Sequence, residues 1–207
     1  MRTIFIGDIH GCLEELRTLV RKLQVTAEDR VICIGDLINK GPESAAVVRY
    51  VFSAGFECVR GNHDQSYCDA PKRPAYRAIR RAISADAHAW FCALPLYIKD
   101  NDFLAVHAGL PPDRKVSQVS SDILLNIRTW DGEGTCLNRA NDPPWYMLYG
   151  GKRKVIYGHW AAQGLTVRKR TIGLDSGCAY GKQLSAYILE SGEVVQVAAQ
   201  RAYESVR

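Results

Sequence analysis

Thr3-Ile4-Phe5-Ile6-Gly7-Asp8-Ile9-His10-Gly11 is the stretch on which the fold turns: a short apolar strand runs straight into a glycine, a carboxylate and an imidazole. The same plan returns down the chain. Val31 to Gly35 reads as a second strand ending in Asp36, and Glu57 to Arg60 starts a third that ends in Gly61-Asn62-His63-Asp64. Val106-His107-Ala108-Gly109 and Tyr157-Gly158-His159 give two further endings of this kind. A glycine beside each polar residue lets the backbone turn sharply and approach a ligand. Sites in α/β sheets assemble in the loops past the carboxyl ends of strands, so these endings pool two Asp, one Asn and three His.

Outward from these motifs, apolar runs alternate with helix-like segments, the pattern of an α/β (α+β) protein. Leu13 to Leu23 reads as an amphipathic helix and Ser44 to Ala54 as a second. From Pro74 to Leu94 the apolar Ile79, Ile83, Trp90 and Phe91 recur at helical spacing, with Arg77, Arg80 and Arg81 on the polar faces, which predicts one helix over the core. The second half reads mostly as strand: 103–106, 155–157, 171–174, 184–189 and 194–197. The segments 113–121 and 132–144 read as loops, the second long enough to be a substrate-facing insertion. Neither repeat nor linker interrupts the pattern, so one domain over 1–207 is expected.

The 207 residues, 47% of them hydrophobic, can bury a core without disulfide staples, and 24% charged residues exclude a disordered composition. No apolar stretch reaches the roughly 18 residues of a membrane span, and Met1-Arg2 runs directly into a strand with no room for a leader. A cytoplasmic protein without a membrane partner is expected. The seven cysteines form no Cys-x-x-Cys pair and read as reduced, mostly buried thiols. A formal charge of +5 favours anionic ligands in a general way. The basic clusters 152–154 and 168–170 read as solvated faces, His88 as a packing or solvated residue, and Trp145 and Tyr146 as substrate contacts.

Asp8 and His10 are two positions apart, so in an extended segment both would point to one side and grip one cation. Asp36 has two oxygens and could bridge to a second. Asn62, His107 and His159 would complete that second site, a mixed oxygen and nitrogen set suited to Mn, Fe or Zn and unlike the all-oxygen shell of calcium.

The ordered series Gly7-Asp8-Ile9-His10-Gly11, Gly35-Asp36 to Gly41-Pro42, Gly61-Asn62-His63-Asp64, His107-Ala108-Gly109 and Gly158-His159 resembles the phosphoprotein-phosphatase branch of the calcineurin-like metallophosphoesterases. The resemblance implies a two-sheet β-sandwich flanked by helices, in four α/β/β/α layers. It implies two divalent metal ions, Mn foremost and Fe, Zn, Mg or Co as alternatives, held by Asp8, His10, Asp36, Asn62, His107 and His159. His63 would protonate the leaving oxygen with Asp64 fixing its tautomer. Lys40, Arg128 and Asn62 would hold the phosphate, Arg128 also neutralising charge at the reacting centre, and Asp175 would orient a ligand histidine.

Within that branch the chain looks most like the diadenosine tetraphosphatases and ApaH-like phosphatases. Asn39-Lys40-Gly41 stands where protein phosphatases carry Asp-Arg-Gly, and Gly173 to Gly181 is a further likeness. The implied activity is hydrolysis of phosphoanhydride bonds in dinucleoside polyphosphates, capped RNA or polyphosphate, by in-line attack of hydroxide formed at the metal pair. Nucleic acid would enter only as substrate. The alternatives are a protein serine/threonine phosphatase and a non-catalytic phosphate- or RNA-binding module.

Overall fold

The alternation in the opening strand sets the layers. In the computed structural model, which describes residues 1–205, β1 (Thr3–Ile6) sends Phe5 to one side, and Ile4 and Ile6 to the other, all fully buried. A strand buried on both faces needs a second sheet on one side and helices on the other. Phe5 meets Phe103 edge to face at 4.9 Å between ring centroids, and the apolar layer around them draws on both sheets: Ile32, Ile34 and Val59 from one, Ala105, Ile156 and Ile172 from the other.

The first sheet has the order β10-β9-β1-β2-β3, where β2 is Arg30–Cys33, β3 Glu57–Cys58, β9 Gln183–Ile188 and β10 Val194–Ala198. β1, β2 and β3 run parallel, β9 is antiparallel to β1, and β10 is antiparallel to β9. The second sheet has the order β4-β5-β6-β8-β7, with β4 Tyr97–Lys99, β5 Phe103–Val106, β6 Lys154–Tyr157, β7 Thr166–Val167 and β8 Thr171–Gly173. Here β5, β6 and β8 are the parallel core. The parallel strands of each sheet therefore end on one side, and their endings meet there.

Helices cover both outer faces. α1 (Leu13–Leu23) buries Leu13, Leu16, Leu19 and Leu23 on the first sheet, each contributing about 1.5–3 kcal/mol. Its first turn carries Glu14 and Glu15 and its last Arg21 and Lys22, as the helix dipole favours. α2 (Ser44–Ser53) packs beside it. α3 (Asn62–Asp69) begins at the third glycine motif, so Asn62, His63 and Asp64 stand on its first turn. The short α6 (Ser121–Asn126) and α7 (Trp145–Leu148) cover the second sheet, so that half is less purely strand than its sequence reads. The resulting α/β/β/α sandwich is the expected one.

Two expectations fail. The helix predicted over 74–94 is two, α4 (Arg77–Ala82) and α5 (Ala85–Cys92), because Ile83 is extended and Ser84 caps α5 by accepting a hydrogen bond from the Ala87 N–H at 3.1 Å. The apolar period continues across a break that propensity does not mark. Cys68 and Cys92 are joined in a disulfide rather than being free thiols: α3 and α5 pack together and bring their Cα atoms to 5.4 Å, within bridging range. Among the described residues no helix is long and apolar enough to cross a membrane.

Candidate metal centre and phosphate cavity

All six expected ligands converge at the carboxyl ends of the parallel strands, though not as extended segments. After β1 the chain turns at His10, whose φ of 48° is left-handed, so Asp8 and His10 reach the centre by a turn and not by alternation along a strand. Gly61 and Gly158 are needed at van der Waals range: a Cβ on Gly158 would overlap the Asp8 carboxylate, and one on Gly61 the Asp36 side chain and backbone.

Asp36, 1% exposed, is shared. Its Oδ2 lies 3.4 Å from His10 Nε2 and 3.6 Å from His107 Nε2, while Oδ1 accepts the His63 N–H at 3.0 Å. Donor atoms of Asp8, Asp36 and His107 form one tight group and those of His10, Asp36 and His63 another, with Asp36 common to both. Asn62 Oδ1 stands 2.9 Å from His107 Nε2 and 3.0 Å from His159 Nδ1. The Asp8 carboxylate accepts the His159 N–H at 3.0 and 3.2 Å, which ties the last motif to the first.

The donor set fits cations. His107 Nδ1 donates to the Ile34 carbonyl at 2.8 Å, so in the neutral ring Nε2 carries a bare lone pair, and that lone pair faces the Asn62 oxygen. Two acceptors at that range repel unless positive charge lies against both. His10 repeats the arrangement: Nδ1 donates to the Ile38 carbonyl at 2.9 Å, and the free Nε2 accepts from the Lys40 ammonium at 2.6 Å. Burial pushes His10 down to about 3 and His159 well below the usual histidine range, which keeps both imidazoles in the neutral form that coordinates metal. Burial, then the charges of Asp175 and Asp36, push the Asp8 carboxyl well up. Burial would raise Asp36 too, but positive charge on His107, His10 and His63, when those rings are protonated, and on the Lys40 ammonium pulls it below the usual range. Divalent charge would relieve the buried Asp8 carboxylate and stand in for that positive charge beside Asp36.

Two supporting residues differ from expectation. Asp64 does not touch the His63 imidazole; its carboxylate accepts the N–H groups of Asp36, Leu37 and Gly61 at 2.8, 3.0 and 2.9 Å and fixes the turn that presents Asp36. The helical first turn points neighbouring side chains about 100° apart, which adjacency in sequence conceals. Asn39 holds the imidazole instead, its amide donating to His63 Nδ1 at 2.9 Å. The proton of the neutral ring then sits on Nε2, and burial, with Lys40 and His107, lowers the pKa of His63. Asp175 is buried and bonded to the Gly177 N–H at 3.1 Å, and acts on Asp8 by charge, with no hydrogen bond to a ligand histidine among the described residues.

Beside this centre lies a cavity of about 720 Å³, lined by Lys40, His63, Arg128 and His159 on the centre's side and by Trp160 and Tyr180 beyond. Arg128 has a buried Nε with no partner among the described residues, a donor held ready for an anion. Lys40 also lies over the Tyr180 ring, 5.2 Å from its centroid. Trp145 is a core residue, fully buried with its indole donating to the Ala108 carbonyl at 3.1 Å, and Tyr146 lines a separate surface groove. The aromatics lining the cavity are Tyr76, which is buried, and the partly exposed Trp160 and Tyr180; the signal for Trp160 is its position directly after His159.

Residues 1–163 match the family model described as calcineurin-like phosphoesterase. The chain is 28% identical to the symmetrical bis(5'-nucleosyl)-tetraphosphatase of Aromatoleum aromaticum, over 93% of this chain and 95% of that protein. It is 29% identical to the asymmetrical bis(5'-nucleosyl)-tetraphosphatase PrpE of Bacillus velezensis, over 98% and 94%. A crystal structure of a provisionally named diadenosine tetraphosphatase superposes with a TM-score of 0.88 at 32% identity, covering 96% of this chain and 93% of that one.

Proposed function

From the premise that the chain belongs to the calcineurin-like phosphoesterases, hydrolases built on a dinuclear divalent metal centre, we propose that it cleaves phosphoanhydride bonds in dinucleoside polyphosphates such as diadenosine tetraphosphate. Asp8, His10 and Asp36 would hold one cation, and Asp36, Asn62, His107 and His159 the other, with manganese as the metal of choice for this oxygen and nitrogen set. Bound there, the pair would supply an acidified water and a clamp on the phosphoryl oxygens.

The chain's own groups do the rest. Lys40 and Arg128 bind the phosphate and neutralise charge gathering on its equatorial oxygens. His63 presents Nε2–H to the leaving oxygen. The observation that carries the choice of substrate is the neutral partner of His63: an Asn39 amide, not a carboxylate, donates to Nδ1. Asp36 acts on the ring only by charge at a distance, and no carboxylate is hydrogen-bonded to Nδ1 to stabilise an imidazolium. A phosphate leaving group, with a conjugate acid near pKa ~6, departs without a proton, whereas a serine alkoxide cannot. A cytoplasmic location goes with this reading, the Cys68–Cys92 bridge being the feature that runs against it.

The test gives the purified manganese-loaded protein diadenosine tetraphosphate, capped RNA, polyphosphate and a phosphopeptide side by side, with products resolved by mass. Two ADP would mark symmetrical cleavage, and ATP with AMP asymmetrical cleavage. Fast phosphopeptide turnover with every anhydride intact would replace this reading with a protein phosphatase.

A further inference from the structure

A cavity of about 720 Å³ is larger than one phosphate requires, and Tyr76, Trp160 and Tyr180 are part of its lining beyond the phosphate-binding groups. Trp160 and Tyr180 are both partly exposed there, and neither packs into any of the three apolar cores, whereas Trp130 and Trp145 are core residues at 4% and 0% exposure. Exposed indole area costs stability unless something covers it.

The Trp160 ring is braced. Its backbone N–H donates to the Gly158 carbonyl at 2.8 Å and its carbonyl accepts the Gln163 N–H at 2.9 Å, which fixes the turn directly after His159. Behind it Tyr146 lies at 6.4 Å, stacked in turn on the buried Tyr157 at 5.9 Å, and Gln163 holds the Tyr157 hydroxyl at 2.7 Å. A ring supported in this way loses little freedom when a flat ligand lies on it.

We propose that Trp160 is the platform on which a nucleobase of the substrate stacks, with Tyr180 as a second wall, so that the protein selects nucleotide-bearing polyphosphates over inorganic ones. The inference rests on the anhydride reading and names the part of the substrate that does not react. Position supports it: Trp160 follows a ligand histidine, and Tyr180 carries the Lys40 ammonium over its face, so the aromatic wall begins where the phosphate-binding groups end. Base stacking is tolerant of sequence and strong enough to matter, about 1–3 kcal/mol per base, or 5- to 150-fold in binding.

The decisive experiment compares Trp160→Ala and Trp160→Phe on diadenosine tetraphosphate and on inorganic tripolyphosphate, which has the same bond and no base. Trp160→Ala should raise KM for the dinucleotide about tenfold or more with kcat little changed, leave tripolyphosphate kinetics as they were, and be largely rescued by Trp160→Phe. Equal changes on both substrates, or none on either, would overturn the platform. A second readout needs no turnover: ADP titrated into the metal-free protein should quench tryptophan fluorescence, and the quench should vanish in Trp160→Phe. ADP binding without that quench, or no ADP binding, overturns the inference whatever the assays of hydrolysis return. Intact anhydrides with the wild-type protein would sink the proposed function separately.

Discussion

Asn39→Asp puts a carboxylate where a neutral amide now meets His63 Nδ1 at 2.9 Å. The new oxygen accepts from Nδ1–H, so the ring must carry a proton on both nitrogens to serve both its partner and a leaving group, and the carboxylate stabilises that cation. Two unit charges about 4 Å apart attract by about 4 kcal/mol at an effective dielectric of 20. His63 is only partly buried and already feels Asp36, so about a third of this, about 1.4 kcal/mol or tenfold, should reach the rate. The gain belongs only to substrates whose leaving group needs a proton. We therefore expect kcat/KM for a phosphoserine peptide to rise about tenfold while that for diadenosine tetraphosphate stays within about twofold. Both are measured on the manganese-loaded protein across pH 6–9, with Asn39→Asp/His63→Asn as control. The reasoning is refuted if both substrates shift together, or if the gain survives removal of His63.

Asp36→Asn removes the shared oxygen donor, and elemental analysis should find metal lost from both positions; two ions per chain retained would strike Asp36 from its role as bridge. His10 is held neutral down to about 3 by burial, whereas an unfolded histidine takes a proton near 6.5. Its stabilisation is thus complete above ~6.5 and lost as pH falls towards 3, costing on the order of 1 kcal/mol at pH 5.5. Burial of His63 and His159 acts with the same sign and the raised Asp8 carboxyl against it, so the test is differential: in the metal-free protein, lowering pH from 7.5 to 5.5 should reduce the urea midpoint of wild type relative to that of His10→Gln, and equal changes in the two would contradict the burial argument. The Cys68–Cys92 bridge closes a loop of sequence separation 24, worth about 3.5 kcal/mol by chain entropy. For a chain of this size a thiol reductant should lower Tm by about 7–14 °C, Cys68→Ser should match it and ignore reductant, and an indifferent wild type would deny the bond its weight.

What the sequence made legible follows from which signals are local. Five Gly-flanked strand endings could be read because each motif is contiguous, and the parallel order of β1, β2 and β3 and of β5 and β6 then has to bring them to one edge. The α4/α5 break could not be read, since Ile79, Ile83 and Phe91 stay in helical phase across a Ser84 cap that only the backbone declares. Adjacency misled at Asp64, because a helical turn separates it from His63, and composition misled at Trp145, an aromatic beside two prolines that the second sheet buries. The roles of Asn39 and Trp160 depend on contacts across 24 residues and on a cavity wall respectively, and neither is a property of a motif.

The backbone records how much the centre demands. Six described residues other than glycine have left-handed φ, and five of them, His10, Asp36, Asn39, Lys40 and His159, are ligands or their immediate partners. Each such conformation is disfavoured by about 1 kcal/mol or more for a residue with a Cβ, less for Asn. Nothing in helix or strand propensity selects for this, so the strain is tolerated because the fold around it is over-determined: Asp64 binds two backbone N–H groups of the Asp36 turn and that of Gly61, and the His10 turn bonds to the Asp36 and Gly41 backbones at 2.8 Å each. The facing lone pairs of His107 Nε2 and Asn62 Oδ1 are aimed at the same centre, while that of His10 is held by the Lys40 ammonium. Strain and unmatched acceptors thus share one remedy, positive charge at the centre, and the free energy of binding it is what the surrounding framework holds these residues in readiness to receive.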